Sequence, residues 1–235
     1  MRHILEIRFK NKAFSFIDTK GKLIDFLIKE GGFEQVKIAL GRIDVSTKDL
    51  LEFFFFGIEN FGFQLEAVDN FDIFKSKIDV LFSFIEKYKE YKINDVIRLG
   101  TKSYILCHVK GKNFDELKEI FRGKLFQSSA DIEKKTSFKL LDYTFVSDLT
   151  NNDGKANVLM GPVTKEEVIK KYFNNHEKYN NFDKKNGIYI EIDYYQDEKQ
   201  IKNDKLKEQA IGNIDAIKKL HEGILSYLVE KNNGT

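Results

Sequence analysis

One cysteine, one proline and no tryptophan in 235 residues exclude several chemistries before any pattern is read. A lone Cys107 cannot close an internal disulfide or share a zinc ion with other cysteines, and it fits a reducing compartment. Charge of one sign is also missing. Lys plus Arg number 39 against 37 Asp plus Glu, a net +2, so the basic excess usual in a dedicated nucleic-acid binder is absent. Long hydrophobic runs are lacking too. The densest, Phe53 to Ile58, is interrupted by Gly57, whereas a membrane-spanning helix needs about 20 apolar residues. The first ten residues, MRHILEIRFK, alternate apolar and charged and have no signal-peptide core. A cytoplasmic protein without membrane contact is expected. Scarce proline and absent tryptophan beside abundant Lys, Asn, Ile and Phe suggest an AT-rich coding sequence. The 22 phenylalanines therefore weigh less as a functional signal than their number implies.

What is present is globular: 42% apolar and 32% charged residues, enough for one large domain or two small fused ones. Ile4 to Phe9 alternates as a strand, and Ala13 to Ile17 can extend or pair with it. Leu23, Ile24, Leu27 and Ile28 form a helical stripe that Gly31-Gly32 ends. Gln35 to Leu40 and Arg42 to Val45 read as strands. The stretch LLEFFFFGIENFGFQ (50–64) reads as two more, because aromatics would cover every side of a helix and glycines interrupt it. That alternation puts Phe53 and Phe55 on one face and Phe54 and Phe56 on the other, and leaves open what buries the second face. A helix is expected from Phe71 to about Lys89, capped by Asn70, with Phe74, Ile78, Leu81, Phe82 and Ile85 on its apolar face.

The second part repeats this order. Val96 to Val109 is a strand, and Asn113 to Glu116 caps a helix. Ser137 to Leu149 and Ala156 to Met160 are strands joined by the turn Asn151 to Gly154. Thr164 to Glu167 is a capping box with Val163 and Val168 as its staple. Asn174 to Asn186 reads as a loop, Gly187 to Tyr195 as a strand, and about Lys205 to Glu230 as the closing helix. The expected class is α+β, in two similar halves, 1–93 and 94–235, packed as one unit. Each half is a curved antiparallel sheet packed by a long helix, in the order strand, helix, strands, helix. This order is similar to the duplicated sheet-and-helix plan of TATA-binding-protein-like and helix-grip folds, an analogy of architecture that carries no function.

Two segments carry a more specific likeness. IRLGTKSYILCHVKGKNFDELKEIF (97–121) opens on Arg-Leu-Gly, and IDAIKKLHEGILSYL (214–228) holds Leu-His-Glu on the last helix. Both resemble an uncharacterised, sporadically distributed bacterial family of about this length with a C-terminal Leu-His-Glu helix. That resemblance implies the fold, no activity, and a scattered distribution suited to mobile or defence-associated genes.

The chemical candidates are few. Gly100-Thr101-Lys102-Ser103 has neither the second glycine nor the following helix of a phosphate loop, so it reads as strand or bulge. The histidines, His3, His108, His176 and His221, are scattered, and no metal-ligating set is expected. Cys107 and His108, adjacent on a strand, point to opposite faces and cannot act as nucleophile and base; Cys107 reads as a packing residue. His221, at the margin of the last helix's apolar face, is the most chemically capable group, with Glu222 beside it as a second ligand-binding candidate. Glu191 and Asp193 share one face of a strand, with Asp183 upstream, as in metal-dependent nucleases. The lysine such an enzyme wants close behind first appears at Lys199, and a solvated edge-strand face explains them as well. Lys110, Lys112, Lys118, Arg122 and Lys124 make a modest basic patch, diluted by Asp115, Glu116 and Glu119.

The expected function is non-catalytic binding of a partner or ligand as an accessory protein, with no cofactor. Its partner is expected to be another protein or a second copy of the chain. The competing expectation is a metal-dependent nuclease or nucleotide-acting enzyme with Glu191 and Asp193 as catalytic carboxylates.

Overall fold

A computed structural model describes residues 1–10, 13–87, 93, 95–173, 177–180 and 186–229. The fold is α+β. Nine strands form one antiparallel sheet in the order β2-β3-β4-β5-β1-β6-β9-β8-β7. They are β1 (Arg2–Phe9), β2 (Gln35–Ala39), β3 (Arg42–Ser46), β4 (Glu52–Gly57), β5 (Asn60–Leu65), β6 (Val96–Cys107), β7 (Phe145–Thr150), β8 (Lys155–Thr164) and β9 (Asn186–Asp197). The helices among the described residues are α1 (Ala13–Gly31), α2 (Phe71–Lys87), α3 (Phe114–Leu125), α4 (Ser129–Thr136), α5 (Lys165–Tyr172), α6 (Glu177–Asn180) and α7 (Leu206–Val229).

Two compact units divide the chain. One comprises Met1–Ser103, Thr150–Ala156 and Asp193–Ala216; the other comprises Tyr104–Leu149, Asn157–Ile192 and Ile217–Thr235.

In the first unit the phenylalanine-rich strands fill the core. Leu5, Ile7 and Phe9 of β1, Phe54 and Phe56 of β4, and Phe61, Phe63 and Leu65 of β5 are buried with Phe74, Ile78 and Leu81 of α2. Phe54 stacks on Phe63 at 5.4 Å between ring centroids and meets Phe84 of α2 edge-on at 6.0 Å. Phe63 meets Phe74 edge-on at 5.5 Å. Each such side chain contributes about 1.5–3 kcal/mol through burial. Asn70 caps α2 as its sequence suggests, accepting the Ile73 amide at 3.0 Å.

The other face of β4 is closed by its own neighbours. Phe55 lies opposite Gly62, where an added Cβ would sit 1.9 Å from the Leu5 carbonyl oxygen and 2.7 Å from the Phe55 ring. Only a bare α-carbon lets the ring lie flat there. The Arg42 guanidinium then covers the ring at 4.4 Å, steered by Asp44 at 2.5 Å. Phe55 is left 6% exposed. The rest of this face is polar and cross-linked: Glu6 accepts from Arg8 at 2.8 Å and from Asn60 at 2.7 Å.

Three segments differ from the sequence reading. Ala13 to Ile17 is the first turn and a half of α1, not strand: Phe16 is buried seven residues before Leu23 and eleven before Leu27, which places the three on one helical stripe. The strand expected from Ser137 begins only at Phe145. The preceding residues 129–136 form α4, which Ser137 ends in the left-handed conformation at φ 59°. Of the expected loop Asn174 to Asn186, residues 177–180 are helical, and 174–176 and 181–185 lie outside the described residues, as do Lys89 and Glu230.

In the second unit, Leu117 and Phe121 of α3, Val158 and Met160 of β8, Val168 and Ile169 of α5, and Ile188 and Ile190 of β9 are buried. Asn113 and Glu116 form the capping box of α3, and Thr164 accepts the Glu167 amide at the start of α5. The Asn151–Gly154 turn between β7 and β8, whose residues belong to the first unit, is held by its own side chain: Asn151 Oδ1 accepts the amides of Asp153 and Gly154 at 2.9 and 2.8 Å.

Candidate functional site

The carboxylates of β9 follow from its alternation. Ile188, Ile190, Ile192 and Tyr194 take one face and are buried, so Glu191 and Asp193 fall on the other. Glu191 accepts a hydrogen bond from the Tyr189 hydroxyl at 2.9 Å, and Tyr189 stacks on Tyr172 at 4.1 Å. Burial, reinforced by the Glu191 charge, pushes the Tyr189 phenol well above its ordinary pKa, so it stays a donor. Asp193 is paired with Arg98 at 3.3 Å, and that guanidinium lies 4.6 Å above the Tyr195 ring. Lys155 pairs with Asp197 at 2.8 Å, which raises the lysine's pKa. Asp183 lies outside the described residues. Among the described residues no group of three His, Cys, Asp or Glu side chains could hold a metal ion.

The basic patch is likewise engaged within its own unit. Lys112 pairs with Glu116 at 3.2 Å and Lys118 with Asp115 at 2.7 Å; Arg122 reaches Glu133 at 3.3 Å and Glu119 at 3.7 Å. The Asn113 amide and Lys112 hold the Glu116 carboxyl below its ordinary range, and Lys118 does the same for Asp115. Lys124 donates to the Tyr227 carbonyl and sits 5.2 Å from that ring. Lys110 is exposed in the turn after β6. A shallow surface depression here is lined by Lys112, Asn113, Asp115, Glu116, Glu119 and Ile120. Phosphates docking on this helix would compete with carboxylates for Lys112, Lys118 and Arg122.

His221 is where the structure adds a contact that the sequence hid. Partly buried on α7, its Nε2 lies 3.2 Å from the Sγ of Cys107, 114 residues earlier at the end of β6. Burial lowers the imidazole's pKa, and the charge of the exposed Glu222 opposes that shift. His108, the neighbour considered in the sequence, is exposed with Nδ1 3.3 Å from the Asn186 carbonyl. Of the remaining histidines, His3 is buried, stacked on Phe74 at 4.6 Å with Nδ1 2.7 Å from Ser103 Oγ, and His176 lies outside the described residues.

Exposed apolar side chains are densest in sequence from α4 through β7. Six of the fifteen large apolar side chains exposed among the described residues fall between 132 and 149: Ile132, Phe138, Leu140, Leu141, Val146 and Leu149. Phe138 is 78% exposed, Leu141 74% and Val146 66%. Scattered single residues of this kind are ordinary, but a run of them is not. β7 is also an end strand of the sheet. The site that sequence reasoning missed is this one. Its signal, an apolar strand with few charges following an apolar, lysine-bearing segment, lies within the strand expected from Ser137 to Leu149, whose place in the sheet the sequence does not state. Compared with known proteins, the chain matches no family model and no curated protein.

Proposed function

We propose that the protein is a non-catalytic interaction protein whose β7 edge takes a strand from another protein chain, in the first place a second copy of itself. The observation that carries this reading is the apolar, uncovered end strand. A strand edge offers unpaired backbone groups to a partner, and natural sheets normally blunt such edges with charge or a covering element. Self-complementarity favours a second copy. With two β7 strands antiparallel and centred on Ser147, Phe145 of one copy faces Leu149 of the other on a shared face, the kind of apolar cross-strand pair that stabilises a ladder. Asp148, the one charge of the strand, is turned toward the Asn157 amide on β8, which lowers its cost in such a pairing.

The reading takes the chain as two similar halves, 1–93 and 94–235, each a curved stretch of sheet under its own long helix, α2 or α7. The order β1, α1, four strands, α2, then β6, α3 and α4, three strands, α7 supports it, with α5 and α6 as additions to the second half. An accessory role in a mobile or defence-associated operon rests on the Leu-His-Glu resemblance alone. The nuclease reading needs Asp193 for a metal, and Arg98 already neutralises that carboxylate. Ligand binding at Glu222, or nucleic acid at Lys110 to Lys124, has less behind it than the open edge.

Sedimentation equilibrium tests the proposal. Wild-type protein is expected to show a concentration-dependent mass rising toward twice the monomer, and Val146→Glu, which sets a second carboxylate opposite Asp148 of the other copy, is expected to remain monomeric. A wild-type monomer at all concentrations contradicts self-association.

A further inference from the structure

From the 3.2 Å contact between Cys107 Sγ and His221 Nε2 we infer that Cys107 is a histidine-assisted thiol that exchanges with low-molecular-weight disulfides, forming a reversible mixed disulfide. The geometry is that of a nucleophile beside its base, built from a strand end and a helix whose residues lie 114 apart. Both residues are partly exposed, so a small disulfide can approach. Two groups suffice for this reaction, whereas acyl transfer also requires donors for an oxyanion. The thiol proton passes to Nε2 as sulfur attacks one sulfur of the disulfide. The reagent's S–S bond breaks as the Cys107 S–S bond forms, and the departing thiolate recovers the proton from His221. One disulfide is exchanged for another, with no external oxidant.

The lowered pKa of His221 keeps the imidazole neutral, and therefore able to accept the proton, below the pH at which a free histidine is charged. The Glu222 charge on α7 acts on His221 against that shift, Lys218 lies one turn earlier on the same helix, and His108 follows Cys107 directly in the chain. Gly187 of β9 brings backbone alone close to the Cys107 carbonyl. Reactivity should thus persist toward pH 6.5, where an unassisted thiol of pKa about 8.5 loses about tenfold per pH unit.

The experiment follows the rate at which the intact chain reacts with an aromatic disulfide reagent between pH 6 and 8.5, in the wild type, His221→Ala and His221→Gln. Cys107→Ser provides the blank. Wild-type protein is expected to react about tenfold faster than either variant at pH 7, with the gap widening as pH falls and added imidazole restoring part of the rate in His221→Ala. If that variant fails to fold, His221→Gln, closer in volume, gives the comparison. Equal rates and equal pH profiles in wild type and a folded His221 variant overturn the inference.

Discussion

β4 and β7 are both short apolar strands of the same sheet, and only one of them is covered. In β4 (EFFFFG) every phenylalanine except Phe53 is buried. Helix α2 meets one face, Gly62 and Arg42 close over Phe55 on the other, and β3 and β5 pair with its two edges. In β7 (FVSDLT) no residue is fully buried, and among the described residues one edge has no strand beside it. The opposite end strand, β2, also exposes an apolar side chain, Ile38, with Leu40 exposed in the turn after it. It is finished differently: Lys37 lies in the strand, and Lys20 of α1 donates to the carbonyl of Ala39. Charge on an edge discourages pairing. An apolar strand is therefore core or interface according to what its neighbours supply, not according to its own composition.

That contrast breaks most sharply at Gly62. Gly62→Ala drives a methyl to 1.9 Å from a backbone carbonyl, and β1 and β5 must separate to admit it. A loss of about 4 kcal/mol or more is expected in urea unfolding, the range reached only by core or backbone lesions. Phe54→Ala should follow, at about 3–5 kcal/mol, for a fully buried ring between Phe33, Phe63 and Phe84. Arg42→Ala removes the cation above Phe55 and its exposed ion pair with Asp44 and should cost about 0.5–1 kcal/mol; urea midpoints resolve that change. Val146→Glu should alter monomer stability by no more than about 0.5 kcal/mol when unfolding is measured at concentrations below self-association, yet abolish the dimer. If Val146→Glu destabilised the monomer as Phe54→Ala does, β7 would be core and the contrast would collapse.

Much of the fold could be read from local pattern. The α2 and α7 stripes, the caps at Asn70, Asn113 and Thr164, the Asn151–Gly154 turn and the alternation of β9 all depend on residues within a few positions of one another. What escaped the sequence depends on pairing across the chain. Phe55 is covered because register sets it opposite Gly62, which no local pattern states. Cys107 meets His221 across 114 residues. The short helix α4 has a weak apolar stripe and carries Ile132 outward, so its periodicity gave little signal, and the strand expected from Ser137 absorbed its neighbour. The candidate site was the least legible part, because exposure of Val146 and Leu149 depends on β7 being last in the sheet.

Amide hydrogen exchange of β7 at low and high protein concentration tests that edge most directly. Amides within 145–149 are expected to gain protection as concentration rises, while those of β2 do not change. Unchanged β7 protection in a protein shown to dimerise, or protection gained at β2 instead, would contradict pairing at that edge.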